Sequence, residues 1–134
     1  MKEDIEFPEV KDVAMAVVKE KNELQEQVWN AYLLNLKEEE IYGVLVSSTG
    51  YGTKKGEKVK TSTLRQFLDR VEPKGYAKVE EVMENLFGLN NEFWVSFYVR
   101  GKIHDKKYIF LPETIKEENL TTVPVLGKPG VLIK

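Results

Sequence analysis

Glu92 to Arg100 reads EFWVSFYVR, and this stretch decides the fold class. Phe93, Val95, Phe97 and Val99 occupy alternate positions, with Trp94, Ser96 and Tyr98 between them. A period of two in β-branched and aromatic residues marks a strand with one face buried. Gly101-Lys102 then suits a tight turn, and Lys106 to Leu111 (KKYIFL) returns as the antiparallel partner. Pro112 ends that strand or marks an edge, because it has no N–H to give to a ladder.

Working outward, the chain keeps offering strands. Val13 to Val18 is a β-branched apolar run bracketed by charge and reads as a buried strand. Val28 to Leu36 (VWNAYLLNL) is apolar on both faces and too short for a surface helix, so it reads as a central strand. Lys37 to Glu40 is a charged turn, and Ile41 to Ser48 (IYGVLVSS) is a further strand with a bulge expected at Gly43. So short a link predicts that these two strands form a hairpin. Thr49 to Lys55 (TGYGTKK) reads as a glycine-punctuated loop, with a strand resuming over Lys58 to Thr61. Val131 to Ile133 supplies a last short strand.

Residues 62–87 carry two patterns. Leu64, Phe67, Leu68 and Val71, then Val79, Val82, Met83 and Leu86, fall at helical spacing. Against this, Glu72-Pro73-Lys74-Gly75 is a good β-turn, and Tyr76 to Glu80 alternates as a strand. The favoured reading is strand, turn, strand, with a short helix near Glu80 to Phe87 stopped by Gly88. The fold expected is mainly β: an antiparallel β-sandwich of about seven strands, immunoglobulin-like in architecture. The alternative is an α+β domain with a helical hairpin across residues 62–87.

The chain has 134 residues, the size of one domain, and no repeat or linker divides it. Residues 1–9 and about 116–134 are expected to be loosely ordered, the latter for Pro124, Gly127, Pro129 and Gly130. The opening MKEDIEFPEV is acidic and lacks the apolar core of a secretory signal. No apolar run approaches the roughly 20 residues of a membrane helix. Zero cysteines exclude disulfides, thiolate chemistry and cysteine-ligated metals, and fit a reducing, cytoplasmic setting. A net charge of −2 argues against a dedicated nucleic-acid binder.

The search for chemistry returns little. His104 is the single histidine and adjoins Asp105, but neighbours in a strand point to opposite faces, so an exposed turn residue is the better reading than a general base. One histidine leaves no metal-ligand set, and Glu38-Glu39-Glu40 and Glu117-Glu118-Asn119 lack the spacing of a calcium loop. Gly50-Tyr51-Gly52-Thr53-Lys54-Lys55-Gly56 misses both phosphate-loop patterns, having Lys55 where a P-loop needs glycine. Ser47, Ser48, Ser62 and Ser96 have no nucleophile-elbow context. Neither a catalytic residue nor a cofactor site is expected. Trp29 and Trp94 are read as core or its margins.

Lysines cluster at Lys54, Lys55, Lys58 and Lys60, and again at Lys102, Lys106 and Lys107. Such lysines either keep strand edges soluble or meet an acidic partner. Tyr51, Lys54 and Lys55 are the candidate binding residues. The expected function is a non-catalytic module that binds another protein. The alternatives are a binder or enzyme for an acidic or phosphorylated metabolite, and a self-assembling structural protein.

Overall fold

The computed structural model describes residues 9–134. Among these are ten strands and two single turns of 3-10 helix, at Glu84–Leu86 and Glu117–Asn119. The strands are β1 (Val13–Lys21), β2 (Gln27–Asn35), β3 (Ile41–Lys54), β4 (Glu57–Lys60), β5 (Leu64–Val71), β6 (Gly75–Glu81), β7 (Asn90–Val99), β8 (Lys102–Phe110), β9 (Thr121–Thr122) and β10 (Pro129–Ile133). They form two antiparallel sheets packed into a β-sandwich. The first runs β6-β2-β1-β10-β9; the second runs β4-β3-β7-β8, with β5 also paired to β3.

The core lies between the sheets and follows from alternation. On β7, Phe93, Val95, Phe97 and Val99 are buried while Trp94 and Tyr98 face out. They meet Met15 and Val17 of β1 and Leu33 of β2 from the opposite sheet. The continuous apolar run of β1 has a separate cause. Its other face, Ala14, Ala16 and Val18, is covered by the chain that carries β9 and β10, with Val123 fully buried against it. A strand buried on both faces needs no polar alternation. The stretch 116–134, expected to be loose, thus contributes β10 as an inner strand beside β1. Residues 1–8 lie outside the described residues.

The hairpin expected between β2 and β3 is not formed. These strands belong to different sheets, and the short link crosses the sandwich. The Pro-Gly turn crosses in the reverse direction, from β5 to β6, beside it. Fully buried Asn35 ties the two crossings together. Its side-chain amide faces the carbonyls of Glu39 (2.9 Å), Val71 (3.1 Å) and Glu72 (3.0 Å), and its Oδ1 accepts the Lys37 N–H. The Lys74 N–H adds a bond to the Lys37 carbonyl. A short link is equally able to turn a corner once its buried backbone carbonyls have donors.

Residues 62–87 form β5 and β6, so the helical-hairpin alternative is set aside and only the turn at Glu84–Leu86 is helical. Bulges produced the misleading spacing. On β5 the register with β3 shifts around Asp69, whose φ is 61°. Leu68 and Val71 therefore both turn inward three residues apart, as they would on a helix. A second shift, opposite Ala31 and Tyr32 of β2, does the same for Val79 on β6 and Val82 just beyond its end. The bulge expected at Gly43 is present, between Tyr42 and Val44. The glycine-punctuated stretch is mostly strand: β3 continues to Lys54 and the chain reverses at Lys55-Gly56.

Candidate functional site

The three candidate binding residues lie in two places. Lys54 and Lys55 are exposed at the tip of the β3–β4 hairpin, where Lys55 (φ 51°) and Gly56 (φ 79°) make the reversal. Tyr51 sits further down β3, opposite Lys60 on β4 and Asn90 on β7. Its hydroxyl donates to Glu92 at 3.3 Å. Partial burial, then the Glu92 charge and hydrogen bond, push its ionisation above the ordinary tyrosine value. Tyr51 thus shares a surface with Trp94, not with the lysine tip.

That surface is the outer face of the second sheet. Strand register lays its side chains out in rows across neighbouring strands. One row is Arg65, Ser47, Trp94 and Lys107; the next is Phe67, Leu45, Ser96 and Asp105. A third sets Tyr42 beside Tyr98 and Ile103, with the two tyrosine rings stacked at 5.8 Å. Twelve large apolar side chains are exposed among the described residues, and six of them (Tyr42, Leu45, Phe67, Trp94, Tyr98 and Ile103) share this one face. Scattered exposure is ordinary, whereas a contiguous patch marks a surface that meets something. Trp94, expected in the core or its margins, is 44% exposed here, while Trp29 is buried.

The electrostatics of the face are one-sided. The Trp94 indole N–H donates to Asp105, and the Lys107 ammonium stands 4.6 Å above the ring. Glu92 is likewise engaged by Tyr51. Lys54, Lys55, Lys58, Lys60, Arg65 and Lys107 form no salt bridge among the described residues. An open groove of about 540 Å³ runs over Tyr51, Lys60, Arg65 and Trp94. No family model matches this chain, and neither a curated protein nor a solved structure matches it.

Elsewhere the titratable groups serve the fold. His104 is within β8 and not in a turn; its ring stacks on Phe97 at 5.2 Å. Asp105 points to the other face, to Trp94, so the adjacent pair cannot work as a dyad. Glu20 accepts from Asn30 (2.5 Å), Tyr32 (2.6 Å) and Lys128 (2.7 Å). Burial pushes Glu20 upward, but these bonds outweigh it and hold the carboxyl below its ordinary value. Glu80, turned inward beyond the β6 bulge, accepts from the Ser48 hydroxyl at 2.6 Å across the sandwich. Burial raises its ionisation above the ordinary value, partly countered by Ser48. The cleft beside it holds about 120 Å³.

Of this face, sequence reasoning names Tyr51 as a binding candidate and offers Lys60 and Lys107, within the lysine clusters, to an acidic partner. Phe67, Tyr42 and Arg65 were missed, because their shared face depends on pairing between strands distant in the chain. The alternation in EFWVSFYVR already set Trp94 and Tyr98 opposite the core residues, and that was the available signal.

Proposed function

We propose that this protein is a non-catalytic module that binds another protein through the outer face of its second sheet. The observation that carries the reading is the row Arg65, Ser47, Trp94, Lys107 set among Tyr42, Leu45, Phe67 and Tyr98. Aromatic anchors ringed by cations suit a protein partner whose apolar patch is bordered by carboxylates. Charge gives the partner class: Glu92 and Asp105 on this face are engaged by Tyr51 and Trp94, and Lys60, Arg65 and Lys107 have no ion partner among the described residues, Arg70 being the cation of the face that pairs, with Glu40. Lys54 and Lys55, at the end of the same sheet, extend the positive field and speed encounter.

The test is capture of a partner from native lysate at physiological salt, then titration of that purified partner against defined variants. Trp94→Ala is expected to weaken binding by about tenfold or more, as for a central aromatic anchor. Arg65→Glu with Lys107→Glu is expected to abolish most of the salt dependence, and Lys54→Glu with Lys55→Glu to slow association. A captured partner bound equally well by all three variants sinks the reading, and so does an empty capture with folded protein.

A further inference from the structure

Between Ser48 and Tyr51 one edge of β3 passes from one partner to another. Up to Ser48 it pairs with β5, and from Tyr51 onward with β4. The link 61–63 between those partners touches β3 at few points. The Thr61 N–H donates to the Gly50 carbonyl (2.8 Å), the Gly50 N–H to the Thr61 hydroxyl (2.9 Å), and the hydroxyls of Thr49 and Thr63 meet at 2.9 Å. The cleft of about 120 Å³ beside Glu80 lies at this gap, with Leu64, Leu86 and Phe93 as its apolar walls. Its polar groups are acceptors short of donors. Asn91, only 6% exposed, turns its amide nitrogen to the carbonyls of Leu86 (2.9 Å) and Leu89 (3.1 Å), and its Oδ1 accepts no hydrogen bond among the described residues. Glu80 accepts one bond, from the equally buried Ser48, and forms no salt bridge among the described residues. A carboxylate withdrawn from water is costly unless a positive donor meets it. No lysine, arginine or histidine lines the cleft, and Glu92, its other acid, is engaged by Tyr51. An anion would meet only like charge there.

We propose that this cleft binds a small organic cation, a primary ammonium on a short aliphatic stem, with Glu80 as its counter-ion and Asn91 Oδ1 and the Ser48 hydroxyl as further acceptors. An ammonium group carries three donors and no acceptor, the complement of that set. A divalent metal ion is a poorer match: calcium takes six to eight oxygen ligands, and no group of three acidic or histidine side chains able to hold a metal occurs among the described residues. The apolar walls give the stem its contact, as is usual for small-molecule sites built around a few polar groups. An apolar cavity of about 150 Å³ holds benzene, so this cleft takes a ligand of about five non-hydrogen atoms. Burial holds Glu80 above its ordinary value, and a bound cation would oppose that shift. Ser48, Asn91 and Phe93 are buried between the sheets, whereas Trp94 faces outward, so the proposal stands apart from the protein-binding reading of the outer face.

The probe is n-butylammonium, titrated into the isotope-labelled full chain and followed by backbone amide shifts. Saturable shifts are expected at Gly50, Thr61, Ser62 and Leu86, which line the cleft, with a dissociation constant of about 1 mM, the range open to so small a ligand. The neutral isostere 1-butanol is expected to bind at least about tenfold more weakly, for want of the charge-assisted bonds. Glu80→Gln keeps the shape of the side chain and is expected to weaken butylammonium about tenfold while leaving 1-butanol unchanged. The contrast between amine and alcohol is read on wild-type protein and does not depend on how the variant folds. The absence of saturable shifts at these amides overturns the proposal, as does 1-butanol binding as well as the amine. So does a folded Glu80→Gln chain that binds butylammonium undiminished. Ammonium ion alone giving the same shifts at the same concentration also overturns it, because the stem then contributes nothing.

Discussion

Replacing Asn35 with alanine tests whether one buried amide holds the corner where the chain crosses between sheets. Asn35 is fully buried and meets three carbonyls and one backbone N–H at 2.9 to 3.1 Å. Its amide has two protons, so two donated bonds and one accepted bond are the effective count. At about 1 kcal/mol net for each, the loss is about 3 kcal/mol. That is a large share of the roughly 5–15 kcal/mol that holds a domain folded. With an unfolding entropy of about 2.1 cal/mol/K per residue, the melting temperature should fall by about 10 °C. Urea denaturation is the assay, read as a lower midpoint at unchanged slope. Asn30→Ala is the internal comparison. Asn30 makes one side-chain bond, to Glu20, and its Oδ1 is buried without a partner. Removing it should cost only about 1 kcal/mol. Equal losses for the two variants would mean that Asn35 does not secure the corner.

Two further substitutions probe other joints of the fold. Gly130→Ala would place a Cβ 2.8 Å from Val123 Cγ2 and 2.9 Å from the Val17 carbonyl oxygen. Because the second neighbour is backbone of β1, relief requires β10 to shift, and a loss of about 1–3 kcal/mol is expected in urea; an unchanged midpoint would contradict the close packing of β10 on β1. Glu80 is held above its ordinary value of 4.5 by burial, so the native state binds its proton more tightly than the unfolded chain does. Its contribution is present below the ordinary value and is lost as pH rises through the higher folded value. Glu80→Gln should therefore flatten the decline of stability with pH over that interval without lowering stability at neutral pH. A steeper decline in the variant would reverse the assignment.

The sequence by itself determined the secondary-structure class and which face of β7 is buried, because alternation is a local property. Phe93, Val95, Phe97 and Val99 are in the core as their spacing required. The turn at Glu72–Gly75 and the reversal into β8 were legible for the same reason: turn chemistry resides in a few adjacent residues. The tertiary structure alone decided which strands pair. Whether Lys37–Glu40 makes a hairpin or a crossing depends on Asn35 finding carbonyls 36 and 37 residues away. Bulges at Asp69 and near Val79 shifted strand residues into helical spacing, so periodicity there was ambiguous until the register was known. The order of the C-terminal stretch depended on the small side chains of Ala14 and Ala16 leaving a face for Val123 to cover. The outer aromatic face of the second sheet has the same origin. Arg65, Ser47, Trp94 and Lys107 form one row only because four separate strands align, and no local pattern encodes that alignment.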